Sequence, residues 1–128
     1  MKTNEFQFEK LHVYAMAREL VKEVYFLQKS FPSDERYALS SQVRRSITSV
    51  VANIAEGNSR TSMKEKIHFV EISYGSLLEA FSELQIAQDL TFITKESLDS
   101  LRPKFIEVAK MLSGLRNTLE KKSLISNL

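Results

Sequence analysis

The sequence predicts an all-α fold, an antiparallel up-down-up-down four-helix bundle, and three observations carry that expectation. Apolar residues recur at alternating three- and four-residue steps over four long segments. Only three Gly and two Pro occur in 128 residues, and the segments are joined by short polar connections. The expected helices cover about 8–31, 35–57, 62–90 and 95–121 of a single domain, 1–128. A chain of this length can bury roughly two-thirds of its unfolded surface without metals or disulfides.

The first stripe is Val13, Ala17, Leu20, Val24, Leu27 and Phe31, and Pro32 should end its helix. The second runs Leu39, Val43, Ile47, Val50 and Ile54, with Gly57 placed where a left-handed cap would close a helix. Ser62 followed by Glu65 is the pattern of a capping box and should start the third helix. Its expected stripe is Ile67, Val70, Tyr74, Leu77, Phe81 and Leu84, with a turn near Thr91 to Thr94. The fourth, Leu98, Leu101, Phe105, Val108, Leu112, Leu115 and Leu119, is the most regular and suits bundle packing at about +20°. Pro103 should either bend that helix or mark its true beginning.

Cysteine is absent, so disulfides, thiolate catalysis and thiolate metal sites are excluded. No apolar run approaches the ~20 residues of a membrane span, and the first residues lack the order of a signal peptide, so the expected location is the cytoplasm. The net charge of +2 is too small to mark a nucleic-acid binder by itself. Its distribution is uneven: net +4 over Arg36 to Lys66, −5 over Glu71 to Asp99, and +4 over Arg102 to Lys122. An acidic third helix between basic neighbours would satisfy these charges inside one bundle.

Glu9 with His12, and Glu65 with His68, have the spacing used by carboxylate-bridged di-metal bundles, with Glu56 and Glu120 at the same end. At ~100° per residue, Glu65 and His68 point away from the stripe through Ile67 and Val70, and Glu56 points away from Val50 and Ile54. The expectation is no metal and no cofactor. There is also no glycine-rich phosphate loop, no Ser-His-Asp order in a strand-turn-helix setting, and no facing carboxylate pair, so no enzyme is expected.

The surfaces beyond the core are more informative. Helix two carries a polar line, Gln42, Arg45, Ser49, Asn53 and Glu56, which reads as a solvated face or as a hydrogen-bonded contact surface. On helix three, Phe69, Ile72, Ser73, Ser76 and Ala80 form a second, small and apolar face opposite the core stripe, and self-association is the preferred reading of it. Tyr14, Val21 and Tyr25 likewise widen the apolar surface of helix one.

Gln42, Arg44 with Arg45, Ser49, the run Asn53-Ile54-Ala55-Glu56-Gly57, Arg60 and Ser62 together form a recognisable string, continued by Phe69, Gly75-Ser76-Leu77 and Glu79. This string resembles the four-helix-bundle proteins encoded in intervening sequences of bacterial 23S ribosomal RNA genes. The likeness extends from about Phe8 to Leu119. It departs at Tyr14, where tryptophan is expected, at Phe81, where a charged residue is usual, and at Thr91, where a glycine turn is usual. The resemblance implies a ring-like homopentamer without established enzymatic activity. Proteins of similar look also serve as accessory factors of retroelement reverse transcriptases, offering a basic surface to nucleic acid and polymerase.

The expected function is therefore a non-catalytic oligomeric scaffold that contacts structured RNA or a ribonucleoprotein through a basic surface including Arg44, Arg45 and Arg60. The competing reading is a protein interaction module that binds no nucleic acid. In it the arginines fasten the bundle by pairing with carboxylates such as Glu79 or Glu83.

Overall fold

A computed structural model describes residues 4–35 and 37–126. Its helices are α1 (His12–Leu27), α2 (Leu39–Asn58), α3 (Met63–Asp89) and α4 (Lys95–Ser126). The described residues contain no strand. α1 packs on α2 and α4, and α3 packs on α2 and α4, the order expected when helices adjacent in sequence are neighbours in space. One core fills the centre, with Leu20, Val24, Val43, Ile47, Leu77, Leu84, Val108 and Leu112 almost wholly buried.

Helix one is shorter than its apolar stripe. A 3-10 turn, Gln7–Lys10, precedes it, and extended backbone at Leu11 (φ −75°, ψ 127°) separates the two. At its other end the chain tightens into a second 3-10 turn, Gln28–Ser30, before Phe31 and Pro32. Gln28 is buried there and donates to the Ser40 carbonyl at 2.8 Å, tying the end of α1 to the start of α2. α2 begins at Leu39, where its apolar stripe begins and later than the expected boundary near 35, because a third 3-10 turn, Ser33–Glu35, occupies the connection. The Glu35 carboxylate accepts from the Leu39 N–H at 3.3 Å and so serves an otherwise unpaired donor of the first turn.

α2 and α3 are joined by four residues. The Ser62 hydroxyl accepts from the Glu65 N–H at 3.1 Å, which is the first half of the expected capping box; Glu65 does not return the bond. Gly57 corrects a second expectation. It has no positive φ and lies inside α2, which runs on to Asn58. The glycine is there for space: a Cβ built on it would stand 2.6 Å from the Phe69 Cβ.

α3 ends in a left-handed residue, and that residue is Thr91 (φ 65°). The Phe92 N–H donates to the Ala87 carbonyl and the Thr91 N–H to the Gln88 carbonyl, both at 2.9 Å, the bond pair of a Schellman motif. Phe92 then folds back against Phe31, with ring centroids 5.7 Å apart. α4 is continuous from Lys95, with Pro103 inside it, so the proline does not mark the beginning of the helix.

Candidate polar seam and helix-docking face

The line of polar residues on α2 and the small-residue face of α3 largely meet each other. Ser73 and Ala80 are both 0% exposed. The expected assignment of Ala80 and Ser73 to an outer face is therefore corrected: they point at α2, and the buried arc of α3 is rotated toward that neighbour. The physical reason is size. Small side chains let the two backbones come close, and Ser73 then donates its hydroxyl to the Val50 carbonyl at 2.8 Å. Ile67, Tyr74 and Phe81, expected in the central stripe, are only half-buried at its margin.

Four further contacts cross this seam, and a fifth braces it from within α2. The buried Ser46 hydroxyl donates to Glu83 Oε1 at 2.8 Å. Ser49 and Ser76 share a hydroxyl bond of 3.0 Å, and Asn53 Nδ2 donates to the Ser49 carbonyl and hydroxyl at 2.8 and 2.9 Å. Gly57 receives Phe69, and Lys66 Nζ donates to the Asn58 carbonyl at 2.8 Å. Ser46, Ser49 and Ser73 thus find partners across the seam and Asn53 finds its own within α2, as a low-dielectric interior demands. Burial raises the Glu83 carboxyl above the ordinary glutamate range; the Ser46 hydroxyl and the Arg45 charge pull it down, and Glu79 pushes it up.

The three candidate arginines do not form one surface. Arg44 is half-buried and donates to the Ser40 hydroxyl at 2.6 Å, one turn back on its own helix. Arg45 is exposed, with Nη1 donating to Ser41 at 2.9 Å. Arg60 lies past the far end of α2, on the order of 20 Å away at 1.5 Å per residue. Its guanidinium bonds Glu56 at 2.6 Å and stands 4.8 Å over the Phe69 ring. Arg60 and Glu56 therefore close the α2–α3 turn as a stacked ion pair.

Gln42, Ile72, Gly75 and Glu79 remain on the outside. The outward face of α2 is low, being built from Thr48, Ser49 and Ala52, and a groove opens along each side of it. One, about 560 Å³, lies toward α3 and is lined by Arg45, Ser46, Thr48, Ser49, Ala52, Ser76 and Glu79. The other, about 630 Å³, lies toward α1 over Ala15, Val21, Thr48, Val51 and Ala52, with Arg18, Glu19 and Lys22 at its rim. A low ridge between two grooves accepts another helix at close range. Periodicity alone does not reveal this trough, because it depends on how α1 and α3 flank α2. The one hint in the sequence is the scarcity of long side chains on the exposed side of α2.

Among the described residues no three His, Asp or Glu side chains gather as a metal site would require. His12 and His68 are both exposed. None of the helices described is long and apolar enough to cross a membrane.

Comparison with known proteins agrees with this architecture. Residues 9–114 match the model of a family described as 23S rRNA-intervening sequence protein. A solved structure of a protein of unknown function from the S23 ribosomal protein family of Bacteroides thetaiotaomicron superposes with a TM-score of 0.75 at 24% identity. The match covers 82% of this chain and 95% of that one. No curated protein matches.

Proposed function

The chain belongs to the 23S rRNA-intervening sequence protein family, and from that premise we propose that it acts as a non-enzymatic homo-oligomeric scaffold for structured RNA or a ribonucleoprotein. The observation that carries the reading is the low outward face of α2 with an open groove on either side. Contacts with α1 and α3 leave this face uncovered, and its Thr48, Ser49 and Ala52 permit a close helix contact. The homopentameric ring is what the family resemblance adds.

Arg45, exposed at the edge of the trough, is the side chain in this scaffold best placed to meet phosphate. One such contact is weak, but a ring repeats it in every subunit, and the electrostatic attraction and its salt dependence multiply. Arg44 is half-buried beside it, and Arg60 serves the turn.

Light scattering on the purified protein should give a mass of several chains. Fluorescence polarisation with a labelled ribosomal RNA hairpin should show binding that weakens steeply with salt. Arg45→Ala should reduce that affinity about tenfold without changing the mass. Absence of binding at low salt would remove the RNA contact and leave an assembly partnered by protein.

A further inference from the structure

Two exposed faces of this chain complement each other and cannot meet within one molecule. On the outward ridge of α3, Ile72, Glu79 and Ile86 follow one another at seven-residue steps, a spacing that keeps them on one side of a helix. The two isoleucines are 37% and 46% exposed, large aliphatic side chains left in water on either side of a carboxylate. The helix carrying them falls in the acidic third of the chain, net −5 from Glu71 to Asp99.

The groove between α1 and α2 has the opposite character. Its floor is Ala15, Val21, Val51 and Ala52, with no long side chain to fill it, and Arg18 and Lys22 stand at its rim against the single acid Glu19. Arg18 lies over the Tyr14 ring at 5.6 Å, which holds its guanidinium at the edge. Lys22 and Glu19 are paired only at 3.8 Å and both are highly exposed, so the lysine charge remains available.

We infer that the α3 ridge of one copy, led by Ile72, Glu79 and Ile86, seats in the α1–α2 groove of a second copy. This pairing rests on the oligomeric scaffold proposed above and names its two contacting faces. Ile72 fills the alanine-floored groove, and Glu79, about 10 Å further along α3, meets Arg18 and Lys22 at its rim. α3 cannot bend round α2 to reach its own groove, since both helices are fixed in one core. The two faces are different patches of surface, and a contact that uses the ridge of one copy and the groove of the next is head-to-tail. Such contacts close into a ring when the rotation between subunits allows it.

Because the chain lacks cysteine, the pairing can be tested directly. Ala52→Cys and Ile72→Cys chains, co-expressed and oxidised, should form a mixed disulfide, and neither should cross-link alone. Reversing the rim with Arg18→Glu and Lys22→Glu should raise the concentration of half-dissociation at least tenfold. Adding Glu79→Lys to that chain should restore assembly. An oligomeric parent whose mixed chains do not cross-link, or an Ile72→Cys chain that links to itself, overturns the pairing and leaves the scaffold standing. A parent that stays monomeric at all concentrations overturns both.

Discussion

Gly57 on α2 and Phe69 on α3 stand so close that a Cβ on the glycine would lie 2.6 Å from the phenylalanine Cβ. Alanine is ordinarily better than glycine inside a helix by about 1 kcal/mol. At Gly57 the sign should reverse, because α2 or α3 must shift to admit the methyl group; overpacking of this kind costs about 1–3 kcal/mol. Gly75 and Gly114 have nothing within 4 Å of an added Cβ. Gly75→Ala and Gly114→Ala should therefore raise the urea midpoint while Gly57→Ala lowers it. Equal effects at all three sites would refute the close approach.

Thr91 occupies the left-handed position that closes α3. A β-branched residue held at positive φ is strained by about 1–3 kcal/mol, and glycine is not. Thr91→Gly should stabilise the protein by about 1 kcal/mol after the greater freedom of the unfolded glycine is subtracted. Thr91→Val, with the same branching, should give no gain. Thermal or urea unfolding separates the two outcomes.

The buried Glu83 carboxyl should make stability depend on pH in a defined direction. Unfolded, it titrates near 4.5; folded, burial raises that value. Between the two the folded state holds the proton more tightly, so this contribution is full below about pH 4.5 and disappears as pH rises through the folded value. Glu83→Gln removes the titration and keeps a partner for Ser46. The variant should gain on the parent from pH 4 to pH 7 in paired urea titrations, and a constant difference would show that Glu83 is not the source.

Fold and assembly can be separated with two alanines. Ala80 is buried between α3 and α2, so Ala80→Leu should destabilise each chain by about 1–3 kcal/mol. Ala52 is exposed on the trough, and Ala52→Leu should leave chain stability within about 0.5 kcal/mol. The second change should nonetheless lower the mass seen by light scattering. A folded chain with unaltered mass would remove Ala52 from the contact.

The sequence made the helices legible because Val13, Ala17, Leu20 and Val24, or Leu98, Leu101, Phe105 and Val108, repeat with the period of a helix that has one core. It was less informative about α3. Ser73 and Ala80 carry no hydrophobic signal strong enough to mark them as buried, yet they are more deeply buried than Tyr74 and Phe81. Their burial follows from α2 presenting the Val50 carbonyl and an equally small surface, which is pairwise information absent from a one-helix pattern. Gly57 misled for a related reason. Its place near a helix end suggested a left-handed cap, whereas its role is set by Phe69, twelve residues on. It is α3 that closes on a left-handed residue, Thr91, at the position where the family resemblance places a glycine turn.

The ladder of hydroxyl, amide and carboxylate contacts between α2 and α3 also bears on which alternative structures the chain can avoid. Apolar surfaces tolerate a helix sliding by a turn, since one aliphatic contact replaces another. Here the same slip would strand Ser46, Ser73 and Glu83 in the interior without acceptors or donors, at about 1–3 kcal/mol for each lost partner. A four-helix chain rich in interchangeable leucines and valines thus carries a built-in ruler. Neighbouring segments can be lengthened or recut with little risk of misthreading, while an insertion of even one residue within α2 between Ser46 and Gly57 would put every graduation out of line.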